Sequence, residues 1–143
     1  MATWVDEQHL NLAFNDGLAL LERVRAFVGT GNSALAPADA TPLDRIRLAR
    51  DMSRVTSMAT CCMSLLLLYR AVCDGQMDRG EMQEDARQLL AEVGASLPDR
   101  DTPHPQVPQL EELIADGHAL FTRLQGLQAR FDTSPQPGRF GPS

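Results

Sequence analysis

The feature that most constrains this chain is a run of fifteen uncharged residues, 55–69, in the middle of a longer helical pattern. Apolar residues before, within and after the run recur at alternating spacings of four and three. That spacing places them on one side of an α-helix. The residues on this stripe are Leu48, Met52, Val55, Ala59, Cys62, Leu66, Tyr69 and Cys73.

The ends of this helix are marked by residues that favour helix starts and stops. Thr41 fits the N-cap, Pro42 the first helical position and Asp44 the first turn, because each suits the unpaired amides of a helix N-terminus. The pattern continues to Asp74, and Gly75 is the stop signal. At about 1.5 Å per residue, the helix approaches 50 Å in length.

From residue 58 to residue 68 this helix is apolar almost all round, so every side of it needs a cover. We therefore expect five of its residues to lie in the core or in a dimer interface, namely Met58, Cys62, Leu65, Leu66 and Tyr69. The uncharged run is shorter than the roughly 20 residues that cross a membrane. The acidic N-terminus has no apolar signal core. Both observations predict a cytoplasmic protein without a membrane partner.

Three further helices and two irregular segments complete the pattern. Four-three apolar spacing predicts helices over 7–28 and 109–131, and a shorter helix over 78–93 begins at Asp78, where Glu81 completes a capping box. Residues 97–108 contain four prolines and predict an extended connector. The predicted fold is all-α, an antiparallel bundle of three long helices plus one short helix. It occupies residues 1–131, and 132–143 form a disordered tail.

Composition narrows the class of function. The net charge of −6 argues against nucleic-acid binding, because phosphate neutralisation needs a cationic surface. Three cysteines within one helix are not a disulfide framework, so we interpret them as reduced core thiols. No phosphate-binding glycine loop, catalytic serine motif or metal-ligand spacing occurs. The chain is therefore predicted to be neither an enzyme nor a cofactor-binding or metal-binding protein.

Two groups of residues keep functional alternatives open. Arg45, Arg47, Arg50 and Arg54 crowd the first half of the long helix. They form either a solvated face or a surface for an acidic partner. His118 lies inside the last helix, beside its apolar stripe. A helical histidine in a bundle allows a phosphotransfer module, in which the imidazole attacks a phospho-aspartate. A plain dimeric scaffold is the third alternative.

Residues 51–86 resemble the alphaproteobacterial family called regulator of CtrA degradation. The resemblance rests on Ser-Arg-Val-Thr at 53–56, the Leu-rich run that ends in Arg-Ala-Val at 70–72, and Gly-Gln-Met-Asp at 75–78. Family members often carry an aromatic within the apolar run and Gly-Glu-Met/Ile-Thr at the turn, so this chain departs from the pattern at both places. The layout of the other helices is also similar.

The resemblance implies a non-enzymatic, homodimeric adaptor in regulated proteolysis of the cell cycle. Its partners would be the ClpXP protease, a response-regulator adaptor and the regulatory proteins that are degraded. Such an adaptor tethers a substrate near the protease and so raises its effective concentration. The family has no catalytic residue to carry over to this sequence.

Overall fold

The computed structural model describes residues 7–30, 36–99, 104 and 107–133. This part of the chain forms four α-helices and no strand: α1 (Glu7–Gly29), α2 (Pro42–Cys73), α3 (Arg79–Ser96) and α4 (Pro108–Thr133). The all-helical class predicted from the sequence is confirmed. The tail after Thr133 and much of the connector lie outside the described residues, so the predictions for those segments stay predictions.

Helix α2 begins and ends where local chemistry predicts. The Thr41 hydroxyl accepts a hydrogen bond from the Asp44 amide (3.1 Å), and an Asp44 carboxylate oxygen accepts one from the Thr41 amide (3.3 Å). This reciprocal capping box satisfies two amides at the N-terminus. At the other end Gly75 adopts a φ of 74°, a left-handed conformation that suits glycine.

Helix α3 departs from two expectations. Asp78 is its N-cap but makes no side-chain hydrogen bond to the helix, so the predicted capping box with Glu81 is absent. The helix also runs through Gly94, the predicted stop, and continues to Ser96. Gly94 has a packing role instead: a Cβ there would lie only 3.0 Å from Cζ of Phe121, so glycine lets the α4 ring approach the α3 backbone.

The core is centred on α2, which contacts all three other helices. Helices α1 and α3 each also contact α4. The buried side chains are mainly Leu, Val and Met, as the low aromatic content predicts. This arrangement buries the second half of α2 on three sides.

Two glycines in the outer helices bring them close to α2. A Cβ at Gly17 of α1 would lie 2.8 Å from Leu66 and 3.1 Å from Met63. A Cβ at Gly117 of α4 would lie 2.6 Å from Cε of Met58. Each glycine therefore leaves a gap in its helix that a side chain of α2 fills.

The buried hydroxyl of Tyr69 has a partner in the core. It donates a hydrogen bond to Oε1 of Gln128 on α4 (2.5 Å), and the Tyr69 ring packs against Phe131 with centroids 5.6 Å apart. Burial, with a smaller contribution from Asp132, raises the pKa of the Tyr69 phenol above its ordinary value. The hydroxyl thus stays a donor, as a buried tyrosine requires.

Candidate partner-binding surface

The N-terminal end of α2 stands outside the packed core. Its first six residues, 42–47, include no buried side chain, and the first buried residue of the helix is Leu48. Two apolar side chains in this segment are open to solvent: Leu43 is 53% exposed and Ile46 is 64% exposed. Exposed apolar side chains that neighbour each other on a helix are a common feature of protein-binding surfaces.

Three of the four predicted arginines flank these apolar residues. Arg47, Arg50 and Arg54 are exposed and lie three and four residues apart, so they share one side of α2. We define the α2 tip as Leu43, Ile46, Arg47, Arg50 and Arg54.

Arg45 lies apart from this group, which corrects the prediction of a four-arginine face. It is half-buried, and its Nη2 donates a hydrogen bond to the carbonyl of Pro37 (3.3 Å). The helical repeat turns position 45 away from positions 43 and 47. Arg45 therefore holds the preceding loop against the helix.

A buried carboxylate adjoins the α2 tip. Asp51 is only 1% exposed, and its Oδ2 lies 2.6 Å from Nε2 of His104 in the connector. Its Oδ1 accepts a hydrogen bond from Nε of Arg50 (3.1 Å). Glu111 in turn accepts a hydrogen bond from the backbone amide of His104. Both oxygens of Asp51 are thus occupied, as a buried carboxylate requires.

The five residues predicted for a core or dimer face all lie in the core of one chain. Met58, Cys62, Leu65, Leu66 and Tyr69 are each 0% exposed within one chain. The other helices already cover them within one chain, which is the core alternative of that prediction, and the homodimer itself stays a prediction. Burial, with a smaller effect of Cys61, raises the pKa of the Cys62 thiol to about 12.

Other candidate chemistry is sparse. The described residues contain no cluster of three or more His, Cys, Asp or Glu that could hold a metal ion. Cys61 is half-buried, and its Sγ lies 3.8 Å from Glu92 of α3. Burial and then Glu92 raise the pKa of the Cys61 thiol, which disfavours the nucleophilic thiolate.

His118, the residue of the phosphotransfer alternative, is half-buried on α4. Its Nε2 lies 3.0 Å from the carbonyl oxygen of Pro98. A nitrogen that donates to this carbonyl has no lone pair for attack on phosphorus, so Nδ1 is the ring nitrogen left as a nucleophile. The position therefore suits a histidine that holds the start of the connector on α4.

One described helix, α2, is long and apolar enough to cross a membrane by length and composition alone. Half of its most apolar window is buried inside the bundle. The core helix of a bundle passes the same test, so the result carries little weight.

The sequence contains a usable signal for the buried Asp51 but none for its partner. Asp51 lies seven residues before Met58 and fourteen before Leu65, so all three share one side of α2. An acid on a buried stripe requires a partner. His104, which lies 53 positions away, could not be identified from that pattern. Leu43 and Ile46 fall off the apolar stripe, but so do the wholly buried Met58 and Leu65, so the pattern does not distinguish exposed from buried positions.

Comparison with known proteins gives one match. No curated protein and no solved structure is significantly similar to the chain. The family model described as "Protein of unknown function (DUF1465)" matches residues 2–139, nearly the whole sequence. This chain therefore belongs to the DUF1465 family.

Proposed function

We propose that this protein is a non-enzymatic, cytoplasmic adaptor that helps present cell-cycle regulatory proteins to the ClpXP protease. A response-regulator adaptor is a further proposed partner. The sequence resemblance supplies the pathway, and the α2 tip is the observation that carries the binding role. An adaptor needs an exposed surface of defined chemistry, and the tip joins two exposed apolar side chains to three exposed arginines.

The proposed scaffold is an antiparallel bundle of three long helices plus one short helix. Pairs of contacts support opposite directions for α1 and α4: Asp16 bonds Arg123, while Arg23 bonds Asp116 (2.6 Å). Two contacts support opposite directions for α3 and α4 as well. Gly94, near the end of α3, adjoins Phe121 of α4. Arg87, nearer the start of α3, pairs with Asp132 at the end of α4.

The chemistry of the tip defines its partner. Arginine is enriched at binding hot spots because its planar guanidinium pairs with carboxylates and its stem packs on apolar groups. Leu43 and Ile46 add apolar area that binding would remove from water. The partner surface would therefore be acidic with an apolar centre. Charge attraction of this kind mainly raises the association rate and selects the partner.

A homodimer is part of the proposal, on a surface other than the one predicted from the sequence. Exposed residues at four-three spacing line one outer side of α2: Ser53, Ser57, Thr60, Ser64 and Leu67. Leu67 is 53% exposed at the end of this uncharged side. Small side chains let two helices approach closely, and Leu67 would add apolar contact. Measurement of the mass in solution, with Leu67→Glu as the disrupting variant, tests this part.

The adaptor role is tested by reconstituted degradation. ClpXP, the response-regulator adaptor and the regulator CtrA are combined with or without this protein, and the half-life of CtrA is measured. We expect the full chain to shorten the half-life. The double variant Arg47→Glu/Arg54→Glu should lose most of that effect, because it reverses the charge of the tip and leaves the contact of Arg50 with the buried Asp51 in place.

A matched control distinguishes the effect of the tip on degradation from the effect of the net charge. Arg25→Glu/Arg87→Glu changes two exposed arginines on other helices and alters the net charge equally. Equal loss in both double variants would contradict a role for the tip. No effect of the native protein on CtrA would contradict the adaptor function itself. Capture of histidine kinases and receivers alone from lysate would favour the phosphotransfer alternative.

A further inference from the structure

The seam between α1 and α4 contains an open groove that the proposed tip does not use. One part of the groove has a volume of about 260 Å³ and lies between the ion pairs Arg23–Asp116 and Arg123–Asp16. Its floor is apolar: Leu20 and Leu120 lie at the bottom, flanked by Ala19 and Ala119. Small side chains on both helices keep this part of the seam open.

The groove continues past Arg123 into a second part of about 190 Å³. This part is lined by His9, Ala13, Arg123, Gly126, Leu127 and Arg130. Among the described residues none that lines this part is acidic, although the chain as a whole carries a net charge of −6. Gly126 leaves the wall open, since a Cβ built there would meet nothing within 4 Å.

Size and charge together define what the groove can hold. Each part is smaller than the 300–1,000 Å³ typical of pockets for small molecules, so each fits one or two side chains. From Asp116 to Arg130 the seam is about 21 Å long, the span of about six extended residues. The apolar floor suits aliphatic side chains, and the basic part suits carboxylates.

We propose that the α1–α4 groove, the surface lined by the residues of these two parts, binds a short acidic peptide segment of a partner protein. Aliphatic side chains of the segment occupy the apolar floor. Its carboxylates pair with Arg130 and compete with Asp16 for Arg123. This inference rests on the proposed function in one respect only: an adaptor needs a second binding surface.

The position of the groove allows both surfaces to be occupied at once. Arg47, Arg54 and Cys61 follow each other at intervals of seven residues, so they share one side of α2. Cys61 contacts Glu92 of α3, so this side faces α3. The α2 tip is thus on the α3 side of the bundle, whereas the groove lies between α1 and α4. Gln128 of α4, which lies between Gly126 and Arg130 in sequence, bonds Tyr69 of α2. The basic part of the groove is therefore level with Tyr69, about 33 Å along the helix axis from Arg47.

Selection from a displayed library of random twelve-residue peptides, with the full chain as bait, tests the proposal. We expect the enriched peptides to combine several Asp or Glu with Leu, Ile or Val. Synthesised with a fluorescent label, they should bind with micromolar Kd by anisotropy. Higher salt should weaken binding, because part of the attraction is charge pairing at an exposed surface.

Matched variants then locate the binding. Gly126→Glu and Arg130→Glu should each raise the Kd at least tenfold, because one fills the groove with a negative side chain and the other reverses its exposed cation. Gly126→Ala and Arg25→Glu should stay within twofold of the native Kd, since the first adds only a methyl group and the second lies elsewhere on α1. Circular dichroism melting verifies that each variant is folded.

Several results would overturn the proposal. These are enrichment of neutral or basic peptides or of none, a Kd unchanged in both groove variants, and equal weakening by Arg25→Glu. Loss of binding only in Arg47→Glu/Arg54→Glu would assign the peptides to the α2 tip and also overturn it. The assay contains no protease, so failure of CtrA delivery and failure of the groove give separate results.

Discussion

The two halves of α2 belong to one continuous helix but have opposite surroundings. Residues 42–54 carry four arginines and two acids, and their first buried side chain is Leu48. Residues 55–69 carry no charge, and Met58, Cys62, Leu65, Leu66 and Tyr69 are wholly buried. One helix thus lies in the core of the bundle along one half, whereas along the other half an exposed, charged side accompanies the buried Leu48, Asp51 and Met52.

This difference separates stability from recognition along the chain. Burial of apolar area stabilises the second half, whereas hydrogen bonds at the cap and at Asp51 hold the first half in place. Substitutions in the second half should therefore change the free energy of unfolding. Substitutions at Leu43, Ile46, Arg47 and Arg54 of the tip should change binding with little effect on stability, whereas Arg50 also supports the buried Asp51.

The largest expected effect compares one leucine in each half. Leu66→Ala should lower the free energy of unfolding by about 3 kcal/mol, because Leu66 is wholly buried and its truncation leaves a cavity. Leu43→Ala removes the same atoms from a side chain that is 53% exposed and should cost less than about 0.5 kcal/mol. Urea unfolding monitored by circular dichroism measures both. Equal losses would contradict the division of α2 into two halves.

The next effect concerns the polar anchor of the first half. His104→Ala should cost about 2 kcal/mol, because the Asp51 carboxylate stays buried with one partner fewer. Adding Asp51→Leu should restore part of that loss, since the buried charge is then gone. His118→Ala, at the half-buried histidine that contacts Pro98, is the control and should cost less. Strictly additive losses in the His104/Asp51 double variant would contradict this role.

The third prediction concerns alkaline pH and the second half. The Cys62 pKa is raised from 9.0 to about 12 and the Tyr69 pKa is raised as well, so the folded chain binds more protons than the unfolded chain above pH 9. This stability is fully present below pH 9 and falls as pH rises from about 9 to about 12, by up to about 1.4 kcal/mol per pH unit for each proton. Urea unfolding at pH 8 to 11 measures it.

The chain is well suited to that titration, because it contains no lysine, one tyrosine and three cysteines. Cys62→Ala should make the decline between pH 9 and 10 shallower. A stability that does not change with pH in this range would show that the second half of α2 opens to solvent.

The smallest expected effect is at the cap of the first half. Thr41→Ala should lower the free energy of unfolding by about 1 kcal/mol, because the Asp44 amide loses its acceptor. Amide exchange should quicken over the first turn of α2 and stay unchanged around Leu66. The control is Thr60→Ala, at an exposed position in the helix interior. Faster exchange throughout α2 would contradict a purely local role for the cap.

Much of the fold is predictable because its determinants are local. The start of α2 follows from Thr41, Pro42 and Asp44, and its end from Gly75, all within a few residues of the boundaries they mark. Gly94 shows where such signals fail: it lies inside the helix, and Phe121, 27 positions away, occupies the space beside it. A stop signal thus depends on tertiary packing that a sequence pattern does not contain.

The candidate surfaces are less predictable for the same reason. The arginine cluster is visible in the sequence, but the separate position of Arg45 depends on the loop at Pro37. Leu66 and Leu67 are neighbours in the same apolar run, yet one is 0% and the other 53% exposed. Only the positions of the other helices decide which leucine is covered. The groove between α1 and α4 likewise needs both helices in place before it exists.

The glycines that receive side chains of α2 have a mechanical consequence. Gly17 on α1 accommodates Leu66 and Met63 of α2, and Gly117 on α4 accommodates Met58 of α2. These contacts resist sliding of α2 along its axis, because sliding would drive these side chains into the neighbouring backbones. A force applied to the exposed end of α2 would therefore be transmitted along a rigid rod to the far end of the bundle. The packing at Gly17 and Gly117 therefore fixes the axial position of the exposed end, although it lies some 20 Å away along the same helix.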